Sequence, residues 1–241
     1  MNFSGISDQE LVGRILRVPL RLIPSRAKVP ILQGRLRGKR WIVGSSTHGC
    51  WLGSYEWEKQ RRFAAVVPAG GIVYDVGAHV GLYTLLSSVL VGPEGSVLAF
   101  EPVPRNLGFL RPHIQMNGCE NVTVIAAAVG EHAGSERFAL GPKSQMGHLD
   151  AKGQLEVSVV CLDDIVARGS PPPDLIKIDI EGGEYRALRG ATRVLESARP
   201  TLFLATHGPE VHERCVGLLT SAGYRIEVLD APDELLCSPA R

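Results

Sequence analysis

Val73-Tyr-Asp-Val-Gly-Ala-His-Val-Gly81 is an apolar run that climbs to an acid and then breaks at two glycines four residues apart. Leu82-Tyr-Thr-Leu-Leu-Ser-Ser-Val-Leu90 follows with helical spacing. Together they read as a strand, a tight turn and a helix, the unit that opens a nucleotide-type site. Gly77 and Gly81 let the backbone turn sharply and let a ligand approach the main chain. The helix begun near Gly81 aims free N–H groups and its positive end at the turn, which suits a carboxylate. Asp75, at the strand's end, is placed to receive a ligand's ammonium, directly or through water.

Glu101 ends the next strand-like run, Val97-Leu-Ala-Phe-Glu101, 20 residues past Gly81. An acid at that distance takes the two hydroxyls of a ribose. The spacing Asp-x-Gly-x-x-x-Gly differs from the Gly-x-Gly-x-x-Gly of nicotinamide cofactors, so the expected ligand is S-adenosylmethionine. Plainer accounts exist for each piece. The acid and glycines also suit an ordinary strand–helix turn, and Glu101-Pro102 also suits a strand end where Pro104 begins a helix. The small residues Ala126-Ala-Ala-Val-Gly130 either leave room for a flat adenine or pack closely against a helix.

A second constellation is Lys177-Ile-Asp-Ile-Glu-Gly-Gly-Glu184. Strand alternation puts Lys177, Asp179 and Glu181 on one face and Ile176, Ile178 and Ile180 on the other. Charges on a buried strand are costly unless paired or facing a cleft. Asp179 falls near the strand's carboxyl end, where open α/β sheets bind ligands. A Lys–Asp ion pair with acids at a helix start is the plain alternative.

Composition excludes little and permits much. The chain has 241 residues, 44% hydrophobic and 21% charged, enough for one large domain with a real core. Net charge is +1, but residues 1–40 carry nine basic residues against Asp8 and Glu10, so the remainder is acidic. The five cysteines are scattered, with no Cys-x-x-Cys pair, and predict neither a zinc site nor a disulfide framework. Reduced thiols in a cytoplasmic protein are the expectation. Arginines interrupt the N-terminus too often for a signal peptide or a membrane span.

Residues 8–23 set Leu11, Val12, Ile15, Leu16 and Leu22 against Arg14, Arg17 and Arg21, a basic amphipathic pattern ended or kinked by Pro19. Residues 1–45 are expected to form a basic N-terminal extension with a hairpin, and 46–241 the main domain. Within the latter the pattern predicts a helix near 55–67, then strand 71–76, helix 81–91, strand 96–101, helix 104–117 and strand 122–128. After an extended region at 135–161 come strand 175–180, helix 183–196, strand 201–206, helix 209–222 and strand 224–229. Alternation of this kind implies a mostly parallel sheet with helices on both faces.

Asp75-Val-Gly-Ala-His-Val-Gly-Leu-Tyr-Thr84, Phe100-Glu-Pro102, Ala127-Ala-Val-Gly130, Leu162-Asp-Asp164 and Lys177-Ile-Asp-Ile-Glu-Gly182, in this order, resemble the FkbM family of S-adenosylmethionine-dependent methyltransferases. Leu52-Gly-Ser-Tyr-Glu56 resembles that family's entry segment. The resemblance covers roughly residues 45–208. It implies the seven-stranded, Rossmann-like class I methyltransferase fold with an antiparallel final hairpin, and O-methylation of a hydroxyl on a sugar, polyketide or related molecule. Carried over by position, Asp75, Gly77 and Gly81 surround the methionine part, and Ala78 and His79 in the same turn are further cofactor-binding candidates. Glu101 lies at the ribose, Ala127 and Ala128 border the adenine, Glu56 reaches the amino group, and Asp179 and Glu181 sit at the transfer end; Pro102 and Asp179 are also cofactor-binding candidates. Where the family often has Glu-x-His, this chain has Leu204-Ala-Thr-His207, so contacts that rest on that acid are in question.

A neutral hydroxyl is a poor nucleophile, so a general base is expected. The candidates are Asp179, assisted by Glu181 or His207, and also His79. His148 falls in the extended region and either faces the acceptor or is solvated. The Asp179/Glu181 pair suits magnesium, but no third carboxylate pairs with it, so no metal is expected. The expected partner is a small-molecule or glycan acceptor. A nicotinamide dehydrogenase is the rival enzyme, lacking its glycine triplet. Nucleic acid is not expected, because aromatic residues do not interleave the basic segment. Residues 1–40 suit either a solvated face or weak contact with anionic lipid, worth about 1 kcal/mol per basic residue, which on an inactive domain makes a binding protein. Oligomeric state is not legible.

Overall fold

The structure is a computed structural model that describes residues 19–141 and 147–240. Most of the amphipathic pattern at 8–23 lies outside these residues; of its described end, 19–23, Pro19–Leu22 form a 3₁₀ turn. Among the described residues no helix is long and apolar enough to cross a membrane.

A short antiparallel hairpin, β1 (Lys28–Pro30) and β2 (Arg40–Ile42), comes first. Helices α1 (His48–Leu52) and α2 (Trp57–Val66) follow. The repeating unit then runs β3 (Ile72–Val76), α3 (Leu82–Val91), β4 (Ser96–Phe100), α4 (Pro104–Met116) and β5 (Val122–Ile125). Pro104 opens α4 because its fixed φ suits a first turn and its missing N–H would be unsatisfied there anyway. The hairpin belongs to the main core: Ile31, Leu36 and Trp41 share one cluster with Phe63, Val73 and Leu85.

The second half supplies β10 (Leu175–Ile178), α6 (Glu184–Arg189), α7 (Thr192–Ser197), β11 (Thr201–Ala205), α8 (Pro209–Ser221), β12 (Tyr224–Val228) and β13 (Glu234–Pro239), preceded by α5 (Leu162–Ala167). The main sheet has seven strands in the order β12-β13-β11-β10-β3-β4-β5. All neighbours from β11 to β5 are parallel, and β13 is antiparallel to both its partners. β13 was not read from residue patterning; its residues close the antiparallel hairpin that the family resemblance implied. Every residue of β10 is buried, as expected for a central parallel strand covered on both faces.

Two expectations need correction. Strand 122–128 is not one element: β5 stops at Ile125, and β6 (Ala128–Val129) leaves the main sheet to pair with β9 (Leu155–Val160). With β7 (Gly134–Leu140) and β8 (Gly147–Leu149) these make a second sheet, order β6-β9-β7-β8. Helix 183–196 is also two helices, broken at Gly190, where any Cβ would stand 2.1 Å from the carbonyl oxygen of Gly130. Asp163 then caps α7, its carboxylate accepting the N–H groups of Arg193 and Val194 at 3.1 and 2.9 Å. The Leu162-Asp-Asp164 element therefore serves the fold at this cap.

Candidate active site

Sheet order reverses at β3, with β10 on one side and β4 on the other. The crevice outside the carboxyl ends at such a point is where open α/β sheets bind ligands. A cleft of about 760 Å³ lies there, within the range of small-molecule sites. Its floor is the turn after β3, its near end is Glu101, and its far end is Asp179, Glu181 and His207. The second sheet contributes Phe138, Leu140 and Leu149 as an apolar wall, with His148 beside them.

Four non-glycine residues among those described have positive φ, and three of them line this cleft: Glu56 at 47°, His79 at 50° and Glu181 at 58°. Strained backbone of this kind persists only where the surroundings hold it, and it gathers at binding sites. Gly77, at φ +82°, has no room for a side chain, since a Cβ would lie 2.1 Å from the carbonyl oxygen of Asp179. The close approach of two strand ends thus requires glycine here.

Glu101 is 4% exposed although it borders the cleft. It accepts the backbone N–H of His79 at 2.8 Å, that of Val103 at 2.9 Å and the amide of Asn106 at 3.1 Å. Burial pushes its pKa up to about 7 against the pull of these donors. A carboxylate has about four acceptor positions, so this one has capacity left for a ligand hydroxyl. Pro102, Ala127 and Ala128 also line the cleft, the two alanines nearly buried. The donor set therefore fits a ribose diol with a flat base beside it.

Glu56 stands at the start of α2 and its Oε2 accepts the Tyr83 hydroxyl at 2.9 Å. Ala78 and His79 line the cleft; burial, with Arg105 and Lys177 nearby, lowers the His79 pKa to about 4, so its ring is neutral near pH 7. Asp75 and Gly81 need correction, because neither lines the cleft. Asp75 is fully buried, 3.4 Å from the Lys177 ammonium, and accepts the Thr84 hydroxyl at 2.6 Å. Lys177 in turn donates to the Gly77 carbonyl at 3.0 Å. Asp75 thus shapes the turn through Lys177, and its burial leaves no surface for direct contact with a ligand's ammonium. Gly81 begins α3 at φ +97°, and a Cβ there would meet the side chain of Leu110 at 2.6 Å. Its role is helix packing.

At the far end, the alternation argument for Glu181 also fails: β10 ends at Ile178, and the left-handed turn at Glu181 and Gly182 brings Glu181 to the cleft. The Lys59 ammonium lies 3.5 Å from Asp179 Oδ2 and 3.2 Å from Glu234 Oε1. Burial works to raise the Asp179 pKa, but Lys177, Lys59 and His207 outweigh it and hold it below the ordinary value. Burial, aided by Asp179 and Glu184, raises that of Glu181. His207 Nε2 lies 3.7 Å from Asp179 Oδ1 and 3.8 Å from Glu181 Oε2. Its Nδ1 is 2.8 Å from Glu184, which is fully buried and also accepts the backbone N–H groups of Ile180 and Gly182. That bond is the chief reason the His207 pKa is raised. His207 thus has a carboxylate partner in Glu184, although the residue two before it in sequence is Ala205.

Sequence reasoning missed Lys59, Glu184 and Glu234 as site residues. Lys59 follows Glu56 by three positions, one helical turn, so Glu56 was a usable signal. Glu184 stood inside the quoted Lys177–Glu184 stretch. Glu234 lies on β13 and had no signal.

A seven-stranded sheet of this order with a cleft at β3 defines a class I methyltransferase fold. The Methyltransferase FkbM domain matches residues 75–226. The chain belongs to the FkbM family of S-adenosylmethionine-dependent methyltransferases. It is 26% identical over 129 residues to the hexuronic acid methyltransferase AglP of Haloferax volcanii, covering 52% of each chain. It is 30% identical over 156 residues to the 31-O-demethyl-FK506 methyltransferase FkbM of Streptomyces tacrolimicus, covering 50% of this chain and 59% of that one. The chain thus spans little more than half the length of these curated relatives. Among solved structures, the methyltransferase FkbM of Methylobacillus flagellatus aligns with TM-score 0.53 and 22% identity over 74% of this chain and 50% of that one. A SAM-dependent O-methyltransferase of Thermotoga maritima aligns with TM-score 0.51 and 12% identity over 78% and 66%. Both likenesses concern the fold.

Proposed function

We propose that this chain transfers a methyl group from S-adenosylmethionine to a hydroxyl of a sugar, polyketide or related small-molecule or glycan acceptor. The observation that carries the reading is one cleft with a buried glutamate, Glu101, at one end and Asp179, Glu181 and His207 at the other. S-adenosylmethionine, when bound, supplies a methyl carbon already activated by its sulfonium. Glu101 would hold the ribose hydroxyls, Ala127 and Ala128 would flank the adenine, and Glu56 and Asp179 would face the positive charges. The residues at the far end would orient an acceptor hydroxyl and ease the loss of its proton. Positioning and exclusion of water are the larger part of the catalysis asked of the protein.

Both curated relatives named above support an oxygen-rich acceptor, since one acts on a hexuronic acid and the other on a demethylated hydroxyl of FK506. Phe138, Leu140 and Leu149 offer an apolar face on which a sugar ring or polyketide would rest. We place the chain in a reducing compartment such as the cytoplasm, in keeping with five buried, unpaired cysteines. Contact with a membrane surface through residues 1–40, of which 19–40 lie among the described residues, is a further proposal.

The test is mass spectrometry of the purified chain for retained donor or S-adenosylhomocysteine, then a screen of hydroxylated metabolites for donor-dependent methylation. Methylated product that disappears in Asp179→Asn supports the reading. Tight binding of a dinucleotide in its place refutes it.

A further inference from the structure

Asp179, Glu181 and His207, from two separate segments, each bring one ligand atom within 4.8 Å of the others at the far end of the cleft, with His207 Nε2 facing Asp179 Oδ1 at 3.7 Å and Glu181 Oε2 at 3.8 Å. We propose that these three atoms hold a divalent metal ion. The pair of carboxylates alone gave no such reading, and the structure adds an imidazole as the third ligand.

The orientation of His207 is the independent observation. Its Nδ1 faces the fully buried Glu184 at 2.8 Å, which fixes the proton on Nδ1 and turns the Nε2 lone pair toward the two carboxylates. A histidine ligand held by a carboxylate on its other nitrogen is the usual outer arrangement of a metal site. Three acceptors then face one another, and no described residue donates a hydrogen bond to Asp179 Oδ1 or to Glu181. Lys59 engages the other oxygen of Asp179, Oδ2. Were Nε2 protonated instead, its contacts of 3.7 and 3.8 Å would be too long for hydrogen bonds. They match a shared ion better, since two ligand atoms each bound to a tetrahedral ion stand roughly 3.4 Å apart.

One imidazole with two carboxylates suits manganese or zinc. Calcium needs about six to eight oxygens, more than these residues provide. Three protein ligands leave positions open, as sites that act on substrates require. The role of the ion, drawing the acceptor oxygen in and stabilising its negative charge as the proton leaves to water, rests on the methyl-transfer reading. Binding of the ion does not.

The test is titration of EDTA-stripped protein with Mn²⁺, the free ion followed by electron paramagnetic resonance, with Zn²⁺ as competitor. The expected result is a single site, lost in His207→Ala and Glu181→Gln and weakened about tenfold or more in Glu184→Gln. Circular-dichroism melts and S-adenosylhomocysteine binding by the same variants establish that fold and donor site persist. Absence of Mn²⁺ binding at millimolar concentration, or equal binding by wild type and His207→Ala, overturns the proposal. Wild-type protein that binds Mn²⁺ but no S-adenosylhomocysteine upholds the metal site and refutes the methyl-transfer reading instead.

Discussion

Glu184 accepts a hydrogen bond from His207 at 2.8 Å while remaining fully buried. The same carboxylate holds the turn that presents Glu181, through the N–H groups of Ile180 and Gly182. One side chain therefore orients two of the three groups at the far end of the cleft. Removing His207 is expected to lower turnover by about a hundredfold or more, as loss of a group that eases removal of the acceptor's proton does. Affinity for S-adenosylhomocysteine is expected to stay near wild type, since the nucleoside end is untouched. Single-turnover kinetics beside calorimetry checks both.

The pH dependence of turnover follows from the same contact. Glu184 raises the His207 pKa, and Asp179 and Glu181 add to the rise. On the proposed reading His207 works in its neutral form, so activity is expected to climb as pH rises through that raised value. In Glu184→Gln the main cause of the rise is gone, and the acid limb of the profile should move to lower pH. An unmoved limb would show that another group titrates there.

Glu101 predicts a pH effect on donor binding. Burial puts its pKa at about 7 in the free chain, and the ionised form is the better acceptor for a diol. Affinity for S-adenosylhomocysteine is expected to fall as pH drops from about 8 to about 6, with proton release on binding in that range. Calorimetry in buffers of different ionisation enthalpy measures the proton count.

Asp75 predicts a stability effect. It lies 3.4 Å from the ammonium of nearly buried Lys177, and removing one partner of a buried pair leaves the other uncompensated. Asp75→Ala is expected to cost about 3–5 kcal/mol, read from chemical denaturation. The double change Asp75→Ala with Lys177→Met should recover part of that loss.

Acid should weaken the fold through His113. This ring is fully buried, stacks on Trp41, accepts the Ile42 N–H at 3.0 Å and contacts the Val80 carbonyl through Nδ1 at 2.7 Å. Burial lowers its pKa from 6.5 to about 4. Its contribution is therefore complete above 6.5 and is lost as pH falls from there through about 4, by about 3 kcal/mol in all. His207 works in the opposite sense, its raised pKa favouring the fold at low pH and losing that effect as pH rises. Denaturation midpoints across this range, in wild type and His113→Gln, separate the two.

The sequence was most legible where local chemistry and fold coincide. Two glycines four apart after an apolar run predict the β3 turn, and the run Leu175–Ile178 predicts a central strand, because each pattern has few other uses. Asp75 was misplaced because an acid at a strand end reads alike whether it meets a ligand or a neighbouring strand's lysine. Pairing between β3 and β10, residues about a hundred apart, decides which. Glu184 was overlooked for a related reason: its partner, His207, is 23 residues away and joins it only when β10 and β11 align. Glu56 offered a local hint for Lys59, but the carboxylates that Lys59 meets come from β13 and the end of β10.

The central claim is a donor site closed by Glu101, and calorimetric titration of S-adenosylhomocysteine into wild type and Glu101→Gln tests it most directly. The account predicts saturable binding by wild type and a loss of roughly tenfold or more in the variant, the range for a hydrogen bond to a charged group. No binding by wild type, or equal binding by the two, would contradict it.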